Sequence, residues 1–225
     1  MLETIAVFQA LPADRVARLE AAATLVEPLD GATVFQQGDP AAAVYAIVGG
    51  DGRVRIGAAS DDSKILMVEV FHAGDIFGEI GVIDGEPRTA DARAEGRLRL
   101  LRIPAASFLA VLSETPELGV GLCRMLSRRL RRTFALLQDA TFERLEVRLA
   151  RQLLYLADQH GRRTPLGLRL AGRFRHADLA DLLGATPRSI ITILNSWRAS
   201  GTLAYDAPRG LLTLQDEAAM RALLR

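Results

Sequence analysis

The chain has 225 residues, 49% of them hydrophobic, and a formal net charge of +1, which excludes a minimal peptide, a long repeat array and a highly charged tail protein. Its one cysteine, Cys123, excludes intramolecular disulfides, cysteine zinc sites and iron–sulfur clusters. No stretch of about 18 uncharged apolar residues occurs, and the first residues lack the pattern of a secretory signal. We therefore expect a cytoplasmic protein that does not contact a membrane.

The charge is distributed unevenly along the chain. Residues 1–144 carry 16 basic and 20 acidic side chains, whereas residues 145–225 carry 12 basic and 7 acidic ones. A basic segment is where a polyanion such as a nucleic acid binds. All basic residues but Lys64 are arginines, a bias that genome composition also produces, so the charge alone is a modest indication.

The N-terminal half predicts many short β-strands. A short helix around residues 12–20 precedes them, and glycine, aspartate and proline separate the strands from one another. Such spacing is typical of a β-barrel or β-sandwich. The long turn at residues 49–53, with three glycines, leaves the strand register there open. The predicted strands lie at residues 32–35, 44–48, 54–56, 65–70 and 98–103.

A helical pattern follows between residues 116 and 157, with no glycine after Gly121. It predicts one long helix, or two with a hinge near residues 138–143. Within it, five residues recur at alternating steps of four and three, the spacing of a coiled-coil seam. They are Leu126, Leu130, Thr133, Leu137 and Ala140.

Two interpretations of this seam remain open. It forms either the interface of a homodimer or a packing face against the β-structure of the same chain. The opposite face carries Arg128, Arg131 and Arg132, which leaves only a narrow apolar stripe, as in a two-stranded coiled coil. We favour the homodimer.

The C-terminal third predicts a strand, two helices and a hairpin. Residues 166–170 alternate as in a strand, and residues 177–183 form an amphipathic helix ended by Gly184. A second helix begins at Thr186-Pro187, with a hydroxyl at the N-cap and a proline at the first helical position, and ends near Ser200. Two helices at this spacing followed by strands at 202–205 and 211–214 indicate a helix-turn-helix with a β-wing.

The stretch from Phe77 to Ala90 carries the clearest binding chemistry. Gly78 allows a backbone to approach a ligand closely, Arg88 offers a planar fork for a phosphate, and Glu79 offers an acceptor for a sugar hydroxyl. One acid for a sugar and one arginine for a phosphate is the arrangement that a nucleotide needs. Alternatively, Glu79 and Arg88 form an ordinary surface ion pair, worth less than about 1 kcal/mol.

The residues Phe77-Gly78-Glu79 and Pro87-Arg88-Thr89-Ala90 resemble the phosphate-binding cassette of cyclic nucleotide-binding domains. The resemblance implies that Glu79 holds the ribose 2′-hydroxyl and that Arg88 pairs with the cyclic phosphate. It also implies that Thr89 and the backbone of Gly78 and Ile80 complete the site.

The order of cassette, long helix and helix-turn-helix resembles the Crp/Fnr family of bacterial transcription regulators over essentially the whole chain. This resemblance implies an α+β fold with a jelly-roll-like β-roll at residues 1–115, a dimerisation helix at 116–143 and a winged helix-turn-helix at 144–225. The iron–sulfur branch of the family needs a cysteine cluster, which the single Cys123 cannot supply. The scattered His72, His160 and His176 do not favour the haem branch.

In the second helix of the helix-turn-helix, Ile190, Leu194 and Trp197 recur at steps of four and three and should face the core. The outer face then carries Arg188, Ser189, Thr192 and Asn195. Arg188 is the best candidate to read a guanine in the major groove, with Thr192 one turn further on. The phosphate contacts are expected from Arg175, His176, Thr186 and Arg209.

The family's familiar recognition pattern has Arg-Glu near the start of this helix and an arginine one turn later. Here the corresponding positions are Pro187, Arg188 and Thr192, so the family's best-known operator is not implied. The reading helices of a homodimer would match two half-sites of a palindromic operator in double-stranded DNA. RNA polymerase is a further partner that the resemblance implies.

These observations predict a homodimeric transcription regulator that responds to a cyclic nucleotide. We expect cAMP as the ligand, with its base near Thr133. The alternative is cGMP, whose guanine Thr89 and Arg132 would contact. A second hypothesis is a regulator of this family that needs no nucleotide or senses another ligand. A third, an enzyme with Glu79 as its base, is weak because no nucleophile, metal cluster or second carboxylate accompanies Glu79 in the cassette.

Overall fold

A computed structural model describes residues 1–59 and 65–224 and divides them into two units. The first unit contains residues 1–59 and 68–133, and the second contains residues 134–224 and the short stretch 65–67. Among the helices in these ranges, none is long and apolar enough to cross a membrane.

The first unit contains eight strands and four α-helices, the last of which continues beyond it. Two short 3-10 turns, Leu2–Thr4 and Ala6–Phe8, precede them. The helices are α1 (Ala13–Ala22), α2 (Ile80–Asp84), α3 (Ala105–Glu114) and α4 (Pro116–Phe142). The strands are β1 (Thr24–Val26), β2 (Thr33–Phe35), β3 (Ala43–Gly50), β4 (Arg53–Ala59), β5 (Ile65–Phe71), β6 (Ile76–Phe77), β7 (Asp91–Glu95) and β8 (Leu98–Pro104).

These strands form two four-stranded sheets, in the orders β1-β8-β3-β6 and β2-β7-β4-β5. Strand β3 is buried on both faces, and its side chains alternate between two cores. Tyr45 and Ile47 belong to a core shared by strands of the two sheets, whereas Val44 and Ala46 pack in a core with α1, α3 and the start of α4. The short hydrophobic runs therefore predict these strands correctly. The two sheets are not closed into a barrel.

The glycine-rich turn after β3 has a defined register. β3 extends to Gly50, which pairs with Leu98, and a bulge lies between Ile47 and Gly49. Gly50 has a φ of 104°, and a Cβ at this position would lie 2.0 Å from the carbonyl oxygen of Arg97. Only glycine fits there, which explains why the turn contains more glycine than a simple hairpin needs.

Helix α4 packs on its own chain at its start and exposes apolar residues farther along. Its first turns pack on the same chain, because Leu118 and Leu122 are buried in the core with α1 and α3. Farther along, Leu130, Phe134 and Leu137 are more than half exposed. The helix ends at Phe142 and the next begins at Leu145, so the break lies at the end of the predicted hinge.

The exposed face of α4 contains an apolar residue that the predicted seam did not include. Phe134 lies between Leu130 and Leu137 on the same helix face, next to the predicted Thr133, which is also exposed. Thr133 lines a cavity of the first unit as well. Arg132, predicted on the solvent face, is mostly buried and forms an ion pair with Glu69. That prediction was wrong because the arginine side chain reaches the carboxylate of β5.

The second unit contains the predicted helix-turn-helix and wing. Its elements are α5 (Leu145–His160), β9 (Arg162–Thr164), β10 (Gly167–Arg169), α6 (His176–Leu183), α7 (Pro187–Ala199), β11 (Leu203–Asp206), β12 (Leu211–Leu214) and α8 (Glu217–Ala222). The four strands form one sheet in the order β11-β12-β10-β9. The predicted strand at 166–170 is partly wrong, because Leu166 lies in the turn of a β9–β10 hairpin.

Candidate functional site

A cavity of about 260 Å³ opens in the first unit beside the predicted cassette. The cassette, strands β2, β4 and β5, and helix α4 all contribute to it. All six residues predicted from the sequence to bind the nucleotide line it. They are Gly78, Glu79, Ile80, Arg88 and Thr89 of the cassette and Thr133 of α4. The other lining residues are Phe35, Ile56, Glu69, Phe71, Phe77, Gly81, Ala90 and Arg129.

Arg88 is a buried cation at this cavity, with 5% of the residue exposed. It donates to two backbone carbonyls, that of Gly78 at 2.5 Å and that of Ala43 at 2.6 Å. Its guanidinium carbon lies 4.2 Å from the centre of the Phe35 ring. Among the described residues no carboxylate forms an ion pair with Arg88, and its Nε has no hydrogen-bond partner. An anion in the cavity would supply the missing partner.

The electrostatics of Arg88 agree with this geometry. Burial lowers the pKa of the guanidinium, and the nearby Tyr45, Asp39 and Glu79 oppose that shift. An arginine remains charged in proteins, so the burial cost is not relieved by loss of a proton. Gly78 permits the close approach: its φ is 76°, and a Cβ there would lie 2.8 Å from Nη1 of Arg88.

Glu79 is also buried, with 1% of the residue exposed, and its partner is not Arg88. Nη1 of Arg129, on α4, donates to Oε1 of Glu79 at 2.6 Å, and Nη2 of the same arginine donates to the Ile76 carbonyl at 2.7 Å. The guanidinium also lies 4.4 Å from the centre of the Phe71 ring. The alternative of an ordinary surface ion pair between Glu79 and Arg88 is therefore wrong.

A second buried ion pair borders the same cavity. Nε of Arg132 lies 3.5 Å from Oε2 of Glu69, a residue of β5 that lines the cavity. Burial raises the pKa of Glu69, and Arg132 is the main group that opposes the shift. Burial lowers the pKa of Arg132, opposed by Glu69. The neighbouring Thr133 donates its hydroxyl to the Arg129 carbonyl at 3.1 Å, which leaves its oxygen as an acceptor.

Sequence reasoning missed Arg129 and Glu69. Arg129 stands among several arginines on α4, and periodicity alone does not show which of them point inward. Glu69 lies in a strand whose other residues are mostly apolar, and a carboxylate inside such a run was the one signal available.

The helix-turn-helix of the second unit presents an exposed face on α7. Ile190, Leu194 and Trp197 are buried, as predicted from their spacing. Arg188, Thr192 and Asn195 are exposed and Ser189 is half-buried. The Ser189 N–H donates to the hydroxyl of Thr186, at 3.2 Å, so these two residues cap the helix. Ile191, which the sequence pattern did not single out, is partly exposed on the same helix.

The predicted phosphate-contacting residues lie at the ends of α6 and in the wing. Arg175 and Arg209 are largely exposed, and each pairs locally with an aspartate three residues away. The Phe174 N–H donates to the Gly210 carbonyl at 2.8 Å, so the segment before α6 lies beside the wing. The His176 ring packs edge-on against Tyr205 with 4.8 Å between centroids. Thr186 is exposed at the start of α7.

Comparison with known proteins agrees with both sites. The cyclic nucleotide-binding domain family matches residues 27–115, and the Crp-like helix-turn-helix domain family matches residues 147–223. Together these two ranges cover most of the chain; the first contains the cassette and the second contains α7. The chain belongs to the Crp/Fnr family of transcription regulators.

Relatives of this Crp/Fnr regulator match it along much of its length. A CRP-like cAMP-activated global transcriptional regulator of Mycobacterium tuberculosis is 28% identical over 222 residues, which is 99% of this chain and 98% of the relative. The cyclic AMP receptor protein of Thermus thermophilus is 28% identical over 173 residues, 77% of this chain and 76% of its own. The solved structure of the c-di-GMP-responsive global regulator CLP of Xanthomonas campestris is 25% identical, with a TM-score of 0.75, over 90% of this chain and 99% of that one.

The predicted fold class is thus confirmed as α+β, with a β-rich nucleotide-binding domain, a long helix and a C-terminal helix-turn-helix. This Crp/Fnr regulator is a DNA-binding transcription regulator with a cyclic nucleotide-binding domain, and not an enzyme. The comparisons thus favour the regulator over the hypothesis of an enzyme with Glu79 as its base.

Proposed function

We propose that this regulator binds a cyclic purine nucleotide, cAMP, in the cavity of its first unit and then binds a palindromic operator as a homodimer. The observation that carries the proposal is Arg88, a buried guanidinium that borders the cavity and has no carboxylate partner among the described residues. The cAMP-activated relatives from Mycobacterium and Thermus support the choice of ligand.

The phosphate of the nucleotide would bind at Arg88. A cyclic phosphate carries one negative charge and offers two free oxygens to the planar fork of a guanidinium. The hydroxyl of Thr89 and the backbone of Gly78 and Ile80 line the cavity beside Arg88 and would supply further polar contacts. A buried charge-assisted pair of this kind contributes strongly to affinity because neither partner is screened by water.

The ribose would bind at Glu79. Its carboxylate is held by Arg129 and still has acceptor capacity for the 2′-hydroxyl, because an ionised carboxylate offers about four lone-pair positions. Arg129 and Thr133 belong to α4, so a ligand at Glu79 also contacts the long helix. Ligand binding would thereby favour one arrangement of α4 over others, which is how a ligand shifts a conformational equilibrium.

The homodimer would form along the exposed face of α4. Cys123, Leu130 and Leu137 are seven residues apart and therefore share one heptad position, and Phe134 occupies the alternate one. Phe134 is 58% exposed and Leu137 is 63% exposed. A second copy of the same helix would cover these side chains, because the stripe is narrow and self-complementary.

On DNA, each protomer would place α7 in the major groove, with Arg188 reading a base edge and Arg175, His176, Thr186 and Arg209 near the phosphates. Ser189, Thr192 and Asn195 complete the proposed reading face. Two α7 helices of a dimer would read half-sites about 34 Å apart. Family membership also leads us to propose RNA polymerase as a partner.

Isothermal titration of the full chain with cAMP, cGMP and c-di-GMP tests the ligand. We expect one cAMP per protomer and weaker binding of cGMP. Binding of cGMP at least tenfold tighter, a difference of about 1.4 kcal/mol, would contradict the choice of cAMP but not the pocket. No binding of either cyclic mononucleotide would favour a regulator that senses another ligand or none, and c-di-GMP is the first alternative to examine.

A further inference from the structure

The Glu69 carboxylate lines the cavity, yet neither the phosphate nor the ribose contact uses it. Its side chain is only 16% exposed, and Oε1 accepts a hydrogen bond from the Val70 N–H at 3.3 Å. Oε2 is the oxygen that Arg132 approaches. These two contacts leave part of its acceptor capacity unused, because an ionised carboxylate offers about four lone-pair positions, so Glu69 can also accept from a polar group of a ligand in the cavity.

The position of Glu69 along the cavity follows from strand and helix spacing. Phe71 and Glu69 are two residues apart on β5, so their side chains lie on one face, about 6.6 Å apart along the strand. Arg129 contacts Phe71, and Arg132, about 4.5 Å farther along α4, pairs with Glu69. Glu69 is therefore about one helical turn beyond the level of Arg129, beside Thr133.

The offset between Arg129 and Glu69 indicates which part of the nucleotide lies at each end of the cavity. The level of Arg129 is also the level of Glu79, where the proposed ribose binds. A nucleotide with its phosphate at Arg88 and its ribose at Glu79 then extends its base along α4, toward Thr133 and Glu69. Glu69 borders the cavity, so a base that extends in this direction meets its carboxylate.

The two purines differ at the group that would meet this carboxylate. Adenine carries an amino group at carbon 6, which donates hydrogen bonds, whereas guanine carries a carbonyl oxygen there, which only accepts. An ionised carboxylate is an acceptor only. Burial raises the pKa of Glu69 and the Arg132 guanidinium opposes that shift, so Arg132 favours the acceptor form that distinguishes the purines.

We propose that Glu69 is the residue that selects adenine over guanine in this pocket, by accepting a hydrogen bond from the 6-amino group. The inference rests on the proposed function, because it presumes that a cyclic purine nucleotide occupies the cavity. The adenine 6-amino group would then have two acceptors, the Glu69 carboxylate and the hydroxyl oxygen of Thr133.

Three cyclic nucleotides with the same ribose and phosphate test this contact in the wild-type chain. They are cAMP, cyclic inosine monophosphate, which has a carbonyl at carbon 6 and a hydrogen on nitrogen 1, and the 3′,5′-cyclic monophosphate of purine riboside, which has only hydrogen at carbon 6 and so isolates the loss of the 6-amino group. By titration calorimetry we expect cAMP to bind at least tenfold more tightly than either analogue. This comparison needs no variant and so does not depend on the folding of a mutant protein.

The Glu69→Gln variant tests whether this residue provides the discrimination, with Glu117→Gln, an exposed glutamate on α4, as the matched control. Circular dichroism establishes that both variants are folded. We expect Glu69→Gln to reduce the preference for cAMP over the inosine nucleotide at least tenfold, with the purine riboside nucleotide bound within threefold of wild type. Glu117→Gln should retain the wild-type preference.

These measurements distinguish a wrong role for Glu69 from a wrong proposed function. If wild-type protein binds cAMP but Glu69→Gln weakens all three nucleotides equally, or changes none of them, the role of Glu69 is wrong and the proposed function stands. If the wild-type chain binds no cyclic mononucleotide, the proposed function fails, and the inference about Glu69 fails with it.

Discussion

Arg129 on the long helix donates a hydrogen bond to the buried carboxylate of Glu79, with 2.6 Å between Nη1 and Oε1. The same guanidinium donates to the Ile76 carbonyl of β6 and stacks on Phe71 of β5, so Arg129 connects α4 to the cassette and to two neighbouring strands. A ribose hydroxyl at Glu79 would join this cluster and not replace it. The cassette and α4 are thus already connected at the point where the ligand would act.

The first prediction concerns the proposed phosphate site. Arg88→Ala should weaken cAMP binding by about 2 to 5 kcal/mol, at least about thirtyfold, because the phosphate would be left without its buried partner. Arg88→Lys should lie between the alanine variant and wild type, since it retains the charge but loses the planar fork. Titration calorimetry measures both effects, and Arg93→Ala, an exposed arginine on β7, is the control.

Arg88 also has a structural role, which affects how this prediction is tested. Its hydrogen bonds to the Gly78 and Ala43 carbonyls hold two segments together, so Arg88→Ala should unfold at a lower temperature than wild type. Binding is therefore measured well below the unfolding midpoint of the variant. Binding of cAMP within threefold of wild type by a folded Arg88→Ala protein would contradict the cassette assignment.

The second prediction separates base reading from phosphate contact. Arg188→Ala should cost about 1 to 3 kcal/mol on the preferred operator and little on random DNA, because a bidentate base contact is specific to sequence. Arg209→Ala should weaken binding to all sequences evenly and reduce the slope of affinity against salt concentration. Fluorescence anisotropy at several salt concentrations measures both. Equal losses on operator and random DNA for Arg188→Ala would show that Arg188 reads no base.

The third prediction tests the dimer seam on α4. Leu137→Asp should convert a dimer into monomers, because it places a charge at a buried heptad position of the proposed interface. Leu166→Asp replaces an equally exposed leucine in the β9–β10 turn and should leave the oligomeric state unchanged. Sedimentation equilibrium distinguishes the two outcomes. In addition, mild oxidation should link two chains through Cys123, which shares its heptad position with Leu130 and Leu137.

A dimer that persists in Leu137→Asp, or a chain that is monomeric in the wild type, would contradict this assignment. Absence of the disulfide alone would place Cys123 outside the contact but would leave the seam at Leu137 standing.

The fourth prediction concerns stability in the second unit. Asp139 and Arg151 form an ion pair in which the aspartate side chain is 8% exposed, whereas Asp158, which pairs with Arg221, is 46% exposed. Asp139→Asn should reduce the free energy of unfolding by about 1 to 3 kcal/mol, because the partly buried guanidinium of Arg151 then loses the negative charge that offsets its desolvation. Asp158→Asn should cost less than about 1 kcal/mol. Urea denaturation of both variants checks the difference, and equal losses would refute it.

A strand could be predicted from the sequence when its hydrophobic pattern lies within one short segment, and not when it depends on pairing with distant segments. The strands around Tyr45 and Leu100 were predictable because they are short, mainly apolar runs between turn residues. Strand β7 was not predicted, because its inward residues are the small Ala92 and Ala94, set between charged side chains. That segment becomes a strand through pairing with β2 and β4, which no short window of sequence contains.

The same limit applies to the candidate site. Glu79 and Arg88 were identified because they belong to one continuous motif. Arg129 pairs with Glu79 across 50 residues of sequence, and which arginine of α4 turns inward depends on how the helix packs on the β-structure. The inward position of Arg132, which was predicted on the solvent face, has the same origin.

The most direct test of the central claim, that cAMP in this pocket controls DNA binding, is the affinity for an operator with and without the nucleotide. The operator is selected from a random-sequence pool with the protein saturated in cAMP, and its Kd is measured by anisotropy. We expect at least tenfold tighter binding with cAMP in the wild type and no change on adding cAMP to Arg88→Ala. An operator Kd that is the same with and without saturating cAMP in the wild type would contradict control of DNA binding by cAMP.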